Sequence, residues 1–151
     1  MHRGIVILLL GVVALASIAA GCGGEEKPLT KAEFKKQAET TCRQAEKKRA
    51  DAVEAAFERE AKAGAEPTEA VQETLIIHDA LPPVLTMIEE LEDLRPPESD
   101  QKQVQAIINA YQQATAEVQL NPKRALTETR QMFSKAHKLG REYGFDYCAK
   151  A

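Results

Sequence analysis

The sequence predicts an all-α protein, an up-down bundle of four rods with the second broken at Pro82-Pro83 and the whole stapled by one disulfide. Apolar residues recur at helical spacing through most of residues 30–151, and no stretch alternates with the period of a strand. Short breaks containing Pro, Gly or Asn separate the helical segments. Helices joined by such short breaks pack as antiparallel neighbours.

The first helix is expected from about 31 to 63. Thr30-Lys31-Ala32-Glu33 has the form of a capping box, and Leu29 with Phe34 stands at the two positions of a hydrophobic staple. Phe34, Ala38, Cys42, Ala45, Ala52, Ala56 and Phe57 follow near 3.6-residue spacing, with Glu39/Arg43 and Glu58/Lys62 as flanking pairs, until Gly64 offers a C-cap. Pro67 or Thr68 opens the second rod, whose stripe is Val71, Leu75, His78 and Leu81. Pro82-Pro83 interrupts the hydrogen-bond ladder, and Val84, Leu85, Ile88, Leu91 and Leu94 resume the pattern, so 68–94 reads as two short helices or one kinked rod.

Arg95-Pro96-Pro97-Glu98-Ser99 is the clearest loop, and Asp100 stands where it can cap a third rod carrying Val104, Ile107, Ile108, Tyr111 and Val118. Asn121-Pro122 ends that rod and supplies the N-cap and first-turn proline of the last, which carries Ala125, Thr129, Met132, Phe133 and Ala136. Gly144 closes the last rod, and 145–151 reads as a tail.

Ahead of the bundle the chain has the layout of an export signal. His2 and Arg3 make a short basic start, Ile5 to Ala16 is an almost unbroken apolar run, and Ala19-Ala20-Gly21 supplies the small residues that a signal peptidase needs. Ala19-Ala20-Gly21-Cys22 resembles the lipobox of bacterial lipoproteins, with alanine at the position where leucine is commonest. The resemblance implies a signal peptide at 1–21 that is removed, a lipid on Cys22, and a lipoprotein anchored to the cell membrane on its extracytoplasmic side. Two or three acyl chains such as palmitate hold a protein stably where one does not. The alternative is an uncleaved anchor, because Ile5 to Ala20 nearly reaches the roughly 17 residues that span hydrocarbon. Residues 22–29 then form a short linker and 30–151 a single domain.

Beyond residue 21 the chain carries 19 Lys/Arg against 23 Asp/Glu, a formal charge of −4 that indicates no nucleic-acid partner. The charge is uneven. Residues 51–100 hold 3 Lys/Arg and 14 Asp/Glu, whereas 22–50 hold 8 against 5 and 101–151 hold 8 against 4. An acidic middle packed between two basic ends gains modest complementarity.

With Cys22 lipidated, Cys42 and Cys148 are the cysteines that remain, and in an oxidising compartment two thiols tend to pair. The domain also resembles a loosely defined group of small exported actinobacterial helical proteins. The features that carry this are the opening Leu29-Thr30-Lys31-Ala32-Glu33-Phe34 followed by Cys42, the Pro96-Pro97 loop, and the ending Tyr143-Gly144-Phe145-Asp146-Tyr147-Cys148. That resemblance implies the same disulfide and no activity.

Chemistry is sparsely supplied. Beyond the signal stand two histidines, His78 and His137, and two serines, Ser99 and Ser134, with neither a Gly-x-Ser-x-Gly elbow nor a glycine-rich phosphate loop. No enzyme, cofactor or metal site is therefore expected. Neither histidine has a ligand-type partner three or four residues away, so His78 reads as a core or seam residue on its stripe and His137 as surface. Glu89, Glu90, Glu92 and Asp93 read as a solvated helix face, since no calcium-loop pattern accompanies them. The residues favour a non-catalytic interaction or scaffold domain in the cell envelope, with the membrane and an unidentified envelope protein as partners. The alternative is an extracytoplasmic carrier that holds an apolar ligand or metal between its helices, the Pro82-Pro83 break leaving room for it. Ligand-binding residues are not legible at this level.

Overall fold

Thr30 starts the first helix as its side chains dictate. Its hydroxyl accepts from the Glu33 N–H (3.3 Å) while its own N–H donates to the Glu33 carboxylate (2.9 Å), closing the capping box at the head of α1 (Lys31–Lys62). Ala63 caps the far end, and Gly64 leaves it with φ +67°, a left-handed value that suits glycine. The computed structural model describes residues 27–64 and 68–150. The expected signal segment 1–21, Cys22, the expected linker up to residue 26 and Pro67 lie outside the described residues.

The second rod comprises α2 (Glu69–Leu75), a π-turn (Ile76–Ala80) and α3 (Pro82–Asp93). Thr68 caps it through its hydroxyl, which accepts from the Val71 N–H. Pro82 and Pro83 have no N–H to donate, and they occupy the first turn of α3, where none is needed. The turn before them widens so that the Leu81 N–H reaches back five residues to the Ile76 carbonyl at 2.9 Å. Leu81 keeps helical angles (φ −78°, ψ −38°), which makes this one kinked rod.

A single 3₁₀ turn (Glu98–Asp100) leads into α4 (Gln101–Leu120). The last rod is also broken, contrary to the sequence expectation of one helix: α5 (Pro122–Met132) and α6 (Ser134–Tyr143) meet at Phe133. The Thr129 hydroxyl turns back onto the Ala125 carbonyl, an arrangement that bends helices, one turn ahead of this break. Gly144, with φ +95°, reverses the chain after α6, and Phe145 donates to the Gly140 carbonyl at 2.9 Å in a left-handed C-cap.

The described residues form an all-α bundle around one core that runs from Phe34 on α1 to Ala149. α3 packs between α1 and α4, and α5 and α6 lie on α4. Cys42 and Cys148 are joined in a disulfide with their Cα atoms 5.2 Å apart. Charge pairing between the acidic middle and the basic ends is realised in Lys31–Asp100 (3.3 Å), Lys48–Glu90 (4.0 Å) and Lys123–Glu69. The Lys48–Glu90 and Lys123–Glu69 pairs are exposed, whereas the Asp100 carboxylate is mostly covered, and surface pairs of this kind add little to stability.

Four local expectations are corrected. The segment after Gly144 is no loose tail, because Phe145, Cys148 and Ala149 are buried. Phe57 lies off the core stripe and is half exposed. Asp100 precedes α4 without capping it; its carboxylate instead accepts from Ser99 (2.9 Å) and from the Tyr143 hydroxyl (2.9 Å). These bonds, with the charge of Lys31, hold the Asp100 carboxyl below its ordinary pKa. Asn121 likewise leaves α5 uncapped and donates to the Glu117 carbonyl.

Candidate functional site

At the base of the bundle large side chains fill the space between the first and last rods. The ring of Phe34 meets Tyr143 edge-on at 6.0 Å and Phe145 at 6.2 Å. Further along α1 its buried positions hold only small side chains, Ala38, Cys42, Ala45 and Ala56. Helices that present alanine where the spacing demands filling leave volume between them. Both helix breaks face that volume: Ile76 and Ala80 line it from the π-turn, and Phe133 and Ser134 from the α5–α6 junction.

The result is a cavity of about 750 Å³ between α1, the second rod, α4 and the last rod. Leu81, Val84, Met87, Val118 and Phe133 supply its apolar wall. Tyr111 stands at one end with its ring 6.0 Å from Phe133 and 6.2 Å from His137, and the Phe133 and His137 rings stack at 6.0 Å. The Tyr111 hydroxyl donates to the Cys148 carbonyl, and burial pushes its pKa up, with a smaller push from the charge of Glu39. A phenol held protonated and already donating serves as a structural tie. Arg49, Arg130, Arg141 and Lys150 place cations on the cavity lining, and Glu46 is the acid among them. Arg49 is held by Glu46 at 2.7 Å, which raises the guanidinium pKa further, and Arg141 donates to the Ala149 carbonyl at 3.3 Å.

The tail that closes this end of the cavity is fastened three ways. The disulfide ties Cys148 to α1, Tyr111 ties the same residue to α4, and the Glu39 carboxylate accepts the successive N–H groups of Asp146, Tyr147 (2.7 Å) and Cys148 (3.3 Å). A carboxylate that collects consecutive backbone donors makes strong charge-assisted bonds.

Of the residues singled out in the sequence, Cys42 and Cys148 are brought together and Cys22 lies outside the described residues. The two histidines exchange the places expected of them. His78 is exposed, because the π-turn carries an extra residue and rotates it off the face of Leu75. His137 is partly buried and lines the cavity, stacked on Phe133. The acidic run stays at the surface, with Glu92 accepting from Gln112 at 2.6 Å. Among the described residues no group of three His, Cys, Asp or Glu is placed to hold a metal ion, and no helix is long and apolar enough to cross a membrane. Sequence reasoning missed Arg141, Lys150 and His137 as cavity residues. Ala45, a small residue on the stripe of α1, was the signal that a void could lie there.

No family model, curated protein or solved structure matches the chain.

Proposed function

We propose that this chain is an exported lipoprotein, held by lipid on Cys22 at the extracytoplasmic face of the cell membrane, whose helical domain binds a small apolar ligand between its helices without catalysing a reaction. The cavity carries this reading. At about 750 Å³ it falls within the roughly 300–1,000 Å³ of small-molecule sites, and it is walled by apolar side chains with a few polar groups at its edge. The Cys42–Cys148 disulfide supports export, since such bonds persist in oxidising compartments. The Ala19-Ala20-Gly21-Cys22 lipobox and the apolar run before it support the anchor.

A scaffold role draws less support. The exposed large apolar side chains among the described residues are Phe57, Leu120 and Tyr147, on three different elements, and Tyr147 is covered by Arg43 at 4.9 Å. Scattered single side chains of this kind are ordinary surface.

The test is native mass spectrometry of the full chain released from membrane nanodiscs. The expected result is a bound apolar molecule, beyond the covalent lipid, that is missing from Ala45→Phe, which fills the cavity. Equal ligand occupancy in parent and variant, or none in either, overturns the reading.

A further inference from the structure

We infer that the cavity ligand is an amphipathic anion, an apolar chain ending in a carboxylate or a phosphate, whose head is held at the tail end of the cavity by Arg141 and Lys150. This rests on the ligand-binding reading above and adds the chemistry of the ligand.

The charge of the lining runs against the charge of the chain. Beyond residue 21 acids outnumber bases, yet the lining holds four cations and one acid. That acid, Glu46, is already paired with Arg49. Arg141 spends one of its guanidinium nitrogens on the Ala149 carbonyl, and its planar fork keeps further donors for a second partner. Among the described residues no carboxylate forms an ion pair with Arg141 or Lys150. Side chains of this kind lay their methylene stems along an apolar wall and keep the charged end at its edge. An anionic head on an apolar body matches that layout, and a cationic or wholly apolar ligand leaves it unused.

The disulfide explains how Arg141 and Lys150 come to line the cavity together. Cys148 is pinned to α1 at Cys42, and its carbonyl is pinned to α4 by Tyr111. Ala149 and Lys150 follow directly, beside a face of α1 on which Ala45 and Arg49 stand three and seven residues beyond Cys42. Arg141 arrives from α6 through its bond to Ala149. Three separate segments thus bring positive charge to the lining of one cavity, whose apolar wall continues from Tyr111 to Val118, roughly 10 Å along α4. A single chain of about that reach fits the slot.

The probes are a fatty acid with a mid-chain diazirine, its methyl ester and the corresponding alkyl phosphate. Each is photo-crosslinked to the full chain in its own membrane, and the labelled residues are mapped by mass spectrometry. The expected result is labelling at Leu81, Met87 or Phe133 by an anionic probe, about fivefold above the ester. The double variant R141Q/K150Q should bring anion labelling down to the ester level and leave ester labelling unchanged. Whether the carboxylate or the phosphate labels more strongly identifies the head. Should the double variant also lose ester labelling, Lys150→Glu alone, on an exposed side chain, gives the same comparison. Equal cavity labelling by anions and ester, or anion labelling indifferent to these variants, overturns the inference while the ligand-binding reading stands. Cavity labelling by none of the probes overturns both.

Discussion

The hydroxyl of Tyr111 donates to the carbonyl oxygen of Cys148, so α4 grips the residue that the disulfide fastens to α1. With Glu39 holding the adjacent N–H groups, the chain end becomes a wall of the core and of the cavity.

Reduction of Cys42–Cys148 is expected to destabilise the protein by about 2–5 kcal/mol, because the bond closes a loop of 106 residues in the unfolded chain. Denaturant titration with and without reductant measures it. Glu39→Ala should speed reduction of the same bond, since three backbone N–H donors of the tail lose their acceptor, and Glu39→Gln, which keeps one amide oxygen, should do so less. A reduction rate unchanged in Glu39→Ala would show that the clasp does not guard the disulfide.

Stability should fall as the pH rises above about 10. Burial raises the pKa of both Tyr111 and Tyr143, the latter helped by its hydrogen bond to Asp100 and by that carboxylate's charge. In the unfolded chain both ionise near the ordinary value of 10. The folded state therefore holds protons that the unfolded state releases. Its advantage is whole below pH 10 and is lost as the pH climbs through the raised folded values. Melting curves at pH 9 and 11 should show a smaller loss between the two pH values for Tyr111→Phe than for the parent. At neutral pH the same variant should cost about 1–3 kcal/mol, because it strands the buried Cys148 carbonyl.

The histidines should respond in opposite ways. His78 is exposed, and His78→Ala is expected to change stability by less than about 0.5 kcal/mol. His137 stacks on Phe133 and meets Tyr111, and His137→Ala should cost about 1 kcal/mol. Chemical denaturation of the two variants side by side distinguishes them, and equal losses would place His78 in a packed environment.

Cys22→Ala should release the protein from the membrane fraction or leave it unprocessed, because the lipobox reading gives that thiol the anchor. Cell fractionation with a check of the processed mass decides it. A processed variant as membrane-bound as the parent would favour an anchor other than lipid.

The helix boundaries were legible because their causes are local. Thr30 with Glu33, Pro82, Pro122 and Gly144 act on backbone within one turn, and each start or stop lies within about a residue of its expected place. The disulfide was legible because, with Cys22 read as the lipid site, Cys42 and Cys148 were the two cysteines left to pair. The cavity was not. A π-turn that moves His78 outward, a break at Phe133 that accompanies His137 turned inward, and a tail drawn into the core all depend on what lies across the bundle. Periodicity assumes one constant twist per residue, and a single extra residue in a turn changes which side chains share a face. Residues as distant as Arg49, Arg141 and Lys150 share a site because the folded chain closes on itself at Cys148, and that closure has no signature in any short stretch of sequence.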